Sequence, residues 1–202
     1  MPKGSLDLVS LDSTNTLVDV VFVNAHFRVD GEEYLVLTRQ WREATGAYSV
    51  AFPAGTYEKG DGDAIKAGIR ELKEETPFTA IKGDLSIPAF SSDGCLSETF
   101  QILEVRAEPK PGTTTMNGIA LGATTQTSGE SIVTLYVPLN TLYRTLSMLE
   151  KSHHSIDGRL MVYALGYENA RRDARRRFQN TFQAIFTAFA FGLVLYCLFG
   201  YF

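Results

Sequence analysis

Three glutamates, Glu71, Glu74 and Glu75, stand at positions i, i+3 and i+4 of the run Arg70-Glu71-Leu72-Lys73-Glu74-Glu75. Apolar spacing predicts a helix from Ala64 to Glu75, and on a helix those three carboxylates share one face. Like charges so placed repel by roughly 0.2–0.5 kcal/mol per pair, and a bound cation relieves the repulsion. Carboxylate oxygens are hard ligands, which suits Mg²⁺ or Mn²⁺. Arg70 precedes Glu74 by four residues and is placed to hydrogen-bond it, holding the carboxylate in position. Just upstream, Phe52-Pro53-Ala54-Gly55 reads as a tight turn where backbone approaches a ligand. The competing reading is a solvated acidic helix face; the turn at this distance favours the metal site.

The stretch from Gly55 to Thr76 resembles a Nudix box, whose pattern is Gly-x5-Glu-x7-Arg-Glu-apolar-x-Glu-Glu-x-Gly-apolar. Gly55 holds the first position. Asp61 stands where the first Glu is expected, one extra residue separates it from Arg70, and Pro77 replaces the second Gly. The extra residue precedes the helix, so the register from Arg70 to Glu75 is kept. Pro77 requires Thr76 to be extended. The resemblance implies that Glu71, Glu74 and Glu75 hold the metal, with the backbone carbonyl of Ala54 as a further ligand, and that Arg70, Gly55 and Asp61 support them. It also implies attack of water on one phosphorus of a nucleoside diphosphate linked to another group X, with Glu75 or Glu130 as the base and Glu74 beside them in the catalytic set.

These carboxylates need elements to position them. Residues 34–38 read as a strand leading into Arg39-Gln40-Trp41-Arg42, and residues 48–52 as a second strand feeding the turn. The whole run resembles the ADP-ribose and ADP-sugar diphosphatase branch of the Nudix hydrolases, in which the Arg of a Gln-aromatic-Arg motif meets the phosphates. That places Arg42, with Trp41, on the substrate, where a planar guanidinium donates two hydrogen bonds at once. Residues 93–99, with Ser97 and Glu98, resemble the substrate-side loop of the same branch and precede a strand over 100–106. Glu130 precedes an apolar strand over 132–137 and matches an additional Glu that the branch carries on a mobile loop, here residues 112–129. A helix over Leu142–Lys151 follows, and His153 and His154 read as a solvated turn.

The family implies an α/β fold, an α/β/α sandwich with a mixed sheet, over residues 1–151. Residues 152–180 read as a helical, basic linker. Residues 184–202 contain no charge, enough apolar chain to cross a bilayer, and the span is expected over 181–202 as a single C-terminal transmembrane helix. Arg171, Arg172, Arg175, Arg176 and Arg177 precede it and suit anionic lipid headgroups. The expectation is a tail-anchored, single-pass protein with its catalytic domain facing the cytosol, at the endoplasmic reticulum or outer mitochondrial membrane.

A net charge of −4 and a pI near 5.4 argue against a nucleic-acid partner. Cys95 and Cys197 are not placed to pair, and a reducing compartment fits. The resemblance allows a homodimer. Two function classes remain: a membrane-tethered hydrolase of an ADP-ribose-like nucleoside diphosphate sugar, giving AMP and a sugar phosphate, or a catalytically weak Nudix-fold module that binds a nucleotide or partner. The intact Arg-Glu-Leu-x-Glu-Glu favours the first; Asp61, the insertion and Pro77 keep the second open.

Overall fold

The computed structural model describes the backbone of residues 18–111, 115–116, 119–120, 124–127 and 130–199, and the side chains of residues 18–111 and 131–187. In chain order the elements are β1 (Val20–Val29), β2 (Glu32–Arg42), β3 (Ala47–Ala51), β4 (Ala54–Thr56), α1 (Ala64–Glu75), β5 (Phe78–Thr79), β6 (Gly83–Leu85), β7 (Ala89–Phe90) and β8 (Thr99–Arg106). Then come β9 (Glu108–Pro109), β10 (Thr115–Met116), β11 (Ile119–Ala120), β12 (Thr124–Thr127), β13 (Glu130–Pro138), α2 (Leu142–Lys151), β14 (His154–Ile156) and α3 (Gly158–Phe199). Contacts divide the chain into two units, Met1–Asp157 and Gly158–Phe202.

Among the described residues of the first unit, ten strands join in one sheet whose main path runs β12-β13-β2-β1-β8-β6. The sheet is mixed, as expected: β1 pairs β8 in parallel and β2 antiparallel. The turn between β1 and β2 is Asp30-Gly31, both at positive φ (50° and 83°), the geometry of a two-residue hairpin matched to strand twist. Alternation along β1 sends Val21, Val23, Ala25 and Phe27 to one face, where they pack with Ala67 and Leu72 of α1. Gly68 brings the helix backbone close, since a Cβ there would lie 2.7 Å from Leu103 and 3.0 Å from Val21. At one end of this core the Phe27 ring lies 4.8 Å from Phe78, 5.3 Å from Tyr34 and 5.6 Å from Tyr136.

Helix α1 begins at Asp63, whose side chain accepts from Lys66 N at 2.8 Å, a cap that contributes about 1 kcal/mol. It ends because Pro77 forces Thr76 to extended backbone (φ −136°, ψ 163°). The buried Thr76 hydroxyl then donates to Leu72 O at 2.6 Å and accepts from Phe78 N at 3.1 Å, so the proline exit is satisfied internally. His154, expected from sequence to lie in a turn, starts β14 and pairs in parallel with Tyr48 of β3; only His153 keeps a turn conformation, at φ 62°.

In the second unit α3 exposes Phe178, Phe182, Ile185 and Phe186, and Glu168 accepts from Arg172 Nε at 3.0 Å. Among the described residues no helix is long and apolar enough to cross a membrane. The expected anchor over 181–202 falls largely outside the described residues, since the side chains of 188–202 are not among them.

Candidate active site

The register of the sheet delivers the Pro53-Ala54-Gly55 turn to the flank of α1. β4 pairs β1 with Phe22 opposite Ala54 and Val21 opposite Gly55, and Val23 N donates to Pro53 O at 2.8 Å. Ala67, Gly68 and Leu72 are the buried residues of α1, while Glu71 and Glu75 meet this turn and Glu74 pairs with Arg70. Ala54 N donates to Glu75 Oε2 at 3.0 Å. A Cβ on Gly55 would fall on the carboxyl group of Glu71, so glycine is required here for close approach.

Arg70 organises the rest. Its Nε donates to Asp61 Oδ1 at 2.8 Å and its NH2 to Asp61 Oδ2 at 3.1 Å and to Thr56 O at 3.0 Å. NH1 donates to Glu71 Oε1 at 2.7 Å and Glu74 Oε2 at 3.3 Å. The expected pairing with Glu74 is therefore present but is the longest of these contacts. The arginine's main partner is Asp61, whose side chain is only 6 % exposed. Arg70's hydrogen bonds hold the Asp61 carboxyl below its usual range. Burial pushes the Glu71 carboxyl up, although the adjacent guanidinium acts against the shift.

Among the described residues no group of three or more His, Cys, Asp or Glu side chains is gathered at metal-binding distance. Glu71 and Glu74 turn to Arg70, and Glu75 turns to Ala54. The residues nonetheless fit a divalent cation. They are hard oxygen donors, Glu71 and Glu75 meet the same turn, and the desolvated Glu71 carboxyl gains from a neighbouring positive charge.

The remaining candidate residues lie on other elements. Arg42 is exposed at the end of β2. Strand alternation places it with Val36, Thr38 and Gln40, on the face that carries α1. Trp41 points the other way: its ring meets Tyr48 edge-on at 5.4 Å and its Nε1 donates to Glu43 at 2.8 Å. Trp41 and Arg42 thus do not share a face. Ser97 and Glu98 are exposed on the loop ahead of β8. Glu130 opens β13 opposite Thr127, on a hairpin whose β12 strand approaches α1. Its side chain and the expected mobile loop over 112–129 lie largely outside the described residues. Two partners in the site are invisible to sequence reasoning: the Thr56 carbonyl, and the Glu58 backbone N–H, which donates to Asp61 Oδ2 at 2.9 Å. Backbone partners of this kind leave no side-chain signature.

Residues 18–100 match the NUDIX domain. The chain is 30% identical over 152 residues to a Caenorhabditis elegans protein classed as a nudix hydrolase, covering 75% of this chain and 66% of that one. It is 29% identical over 150 residues to the ADP-sugar pyrophosphatase of Mus musculus, covering 68% and 61%. The chain thus spans somewhat less than two thirds of the length of these relatives. A crystal structure of an ADP compounds hydrolase superposes with a TM-score of 0.50 at 20% identity, covering 77% of this chain and 74% of that one, which is a likeness of fold.

Proposed function

We propose, from the premise that this chain belongs to the Nudix family through residues 18–100, that it hydrolyses the diphosphate of a nucleoside diphosphate linked to X, with ADP-ribose or an ADP-sugar as the first substrates to test. The observation that carries the reading is that Glu71 abuts Gly55 and Glu75 accepts from Ala54 N while Arg70 ties Glu71 to Asp61 and to Thr56 O, an arrangement that supports a cation site beside this turn. The similarity to an ADP-sugar pyrophosphatase supports the substrate class.

Glu71, Glu74 and Glu75, with the Ala54 carbonyl, would hold Mg²⁺ or Mn²⁺. Such an ion supplies neutralisation of phosphate oxygens and a lowered pKa for bound water. Arg42 grips the diphosphate through its planar fork. Water forms the new P–O bond while the bridging P–O bond breaks, and its proton passes to Glu75 or Glu130. The products are AMP and a sugar phosphate. Ser97 and Glu98 line the approach of the X group, whereas Trp41, on the opposite face, takes no part in gripping phosphate.

Purified full chain with Mg²⁺ or Mn²⁺ and a panel of ADP-ribose, ADP-glucose, UDP-glucose, NADH and coenzyme A tests the proposal; a folded protein that turns over none of them sinks it. Arg42→Ala is expected to raise KM about tenfold or more, the loss of a charge-assisted pair of roughly 1.5–3 kcal/mol, while Trp41→Ala leaves KM within about twofold. Steady-state kinetics on both variants separates the two faces of β2.

The chain is also proposed to be membrane-tethered with the hydrolase on the cytosolic side. The charge-free residues 184–202 behind the five arginines of 171–177 support this. Alkaline carbonate extraction of cells expressing the full chain is expected to leave it in the membrane pellet, and quantitative release would end the proposal.

A further inference from the structure

Helix α3 carries a two-faced segment that the hydrolase reading leaves unused. Every residue from Arg172 to Thr187 is exposed. Phe178, Phe182, Ile185 and Phe186 stand 63–73 % open to solvent. Their spacing of i, i+4, i+7 and i+8 makes one helical stripe, along which the Phe178 and Phe182 rings stack at 6.5 Å. Asp173, Asn180 and Thr187 follow one another at seven-residue steps on the opposite side. A contiguous apolar stripe beside a polar one marks a surface that a partner covers.

The arginines of this segment are not equivalent. Arg171 and Arg175 precede Phe178 by seven and three residues and so lie in line with the stripe, whereas Arg177 falls on the far side. Arg176 pairs with Asp173 at 3.9 Å, and Glu168 draws Arg171 and Arg172 at 3.8 and 3.0 Å. Among the described residues neither Arg175 nor Arg177 has an ion pair. Arg175 therefore sets an unpaired guanidinium in line with the phenylalanines. A second copy is a poor cover: positions 171, 175, 178, 182 and 185 advance by alternating steps of four and three, a coiled-coil seam into which two arginines would be forced. An anionic bilayer surface meets both halves of the face. Rings enter the acyl boundary, while an arginine beside them lays its stem on apolar surface and keeps its head among phosphates.

We propose that residues 171–187 lie in the plane of an anionic membrane surface, with Phe178, Phe182 and Ile185 toward lipid, Arg175 among the headgroups, and Asp173, Asn180 and Thr187 toward water. The kind of partner is that of the membrane reading above; attachment through one face of α3 needs no span. Residues 181–187, expected from sequence within the span, then belong to the interface.

The test uses the full chain carrying Cys95→Ser and Cys197→Ser, reconstituted in phosphatidylcholine vesicles with and without phosphatidylserine. Single spin labels are placed through Phe178→Cys, Asn180→Cys, Phe182→Cys, Ile185→Cys and Thr187→Cys. Power saturation compares collision with oxygen, which concentrates in lipid, and with a water-soluble nickel chelate. With phosphatidylserine, labels at 178, 182 and 185 are expected to be oxygen-dominated and those at 180 and 187 nickel-dominated; without it the contrast is expected to fade. Arg175→Glu is expected to expose the label at 182 to nickel. Arg177→Glu, the same change of charge on the other face, should leave that accessibility within about twofold. Oxygen dominance at all five positions means a buried span and overturns the proposal, as does nickel dominance at all five. Spin–spin broadening at 178 and 182 means a second copy on the stripe and overturns it too. Equal effects of the two arginine variants show that charge alone matters, not the face. Release of the chain by alkaline carbonate ends the tether proposed above and leaves these accessibilities to decide the in-plane attachment by themselves.

Discussion

Exchanging Glu74 and Glu75 together for glutamine is expected to lower kcat by at least about a thousandfold while the protein stays folded. Neither side chain is among the buried residues of α1, which are Ala67, Gly68 and Leu72. Glu74 pairs with Arg70 at 3.3 Å with 42 % of its side chain exposed, and a pair so exposed is worth under about 1 kcal/mol. Glutamine at position 75 keeps an oxygen to accept from Ala54 N, so the turn retains its anchor. What disappears is negative charge at the place where a cation must be held and, if Glu75 is the base, the group that takes the proton. Equal Tm values with kcat reduced at saturating substrate would locate the loss in chemistry; a double variant retaining more than about a tenth of parental kcat would remove α1 from the mechanism. Glu130→Gln measured alongside assigns the base, since only one of the two carboxylates takes the water's proton.

Local signals make much of this molecule legible in its sequence. The helices over Ala64–Glu75 and Leu142–Lys151 have the bounds expected from sequence; for the first, an amphipathic stripe closed by Asp63 and Thr76-Pro77 leaves little freedom at either end. The extended Thr76 follows from Pro77 alone. Strand β2 runs to Arg42, four residues past the apolar run over 34–38, because pairing with β3 and β13, not hydrophobicity, sustains it through Arg39-Gln40-Trp41-Arg42. That extension also separates Arg42 from Trp41, which a motif written as adjacent letters hides. β14 has no local signature, since its pairing with β3 joins residues about a hundred positions apart. In the site, helical spacing reveals the Arg70–Glu74 pair but not the stronger grip of Arg70 on Asp61. That grip depends on how the loop folds back, and i, i+4 arithmetic applies only within a helix.

Gly55→Ala is expected to abolish most activity, at least about a hundredfold, with Tm within a few degrees of the parent. The backbone at Gly55 is not at positive φ, so alanine meets no conformational strain. The added methyl would collide with the carboxyl end of Glu71, the far end of a flexible side chain that can rotate away at little cost in stability. Rotation, however, removes Glu71 from the turn and from Arg70 NH1, and with it a carboxylate that burial has already made receptive to a cation. Gly68→Ala makes the opposite trade. Its methyl would meet Leu103 at 2.7 Å and Val21 at 3.0 Å inside the core, so overpacking of about 1–3 kcal/mol should lower Tm by several degrees while the carboxylates keep their places. One glycine faces the carboxylates of α1 and the other its packed face, so the pair separates function from stability around a single helix. If Gly55→Ala retained full turnover, Glu71 would not work from the position in which this structure holds it. Combining Gly55→Ala with Glu71→Gln should cost little more than either change alone, because both remove the same group from the same place.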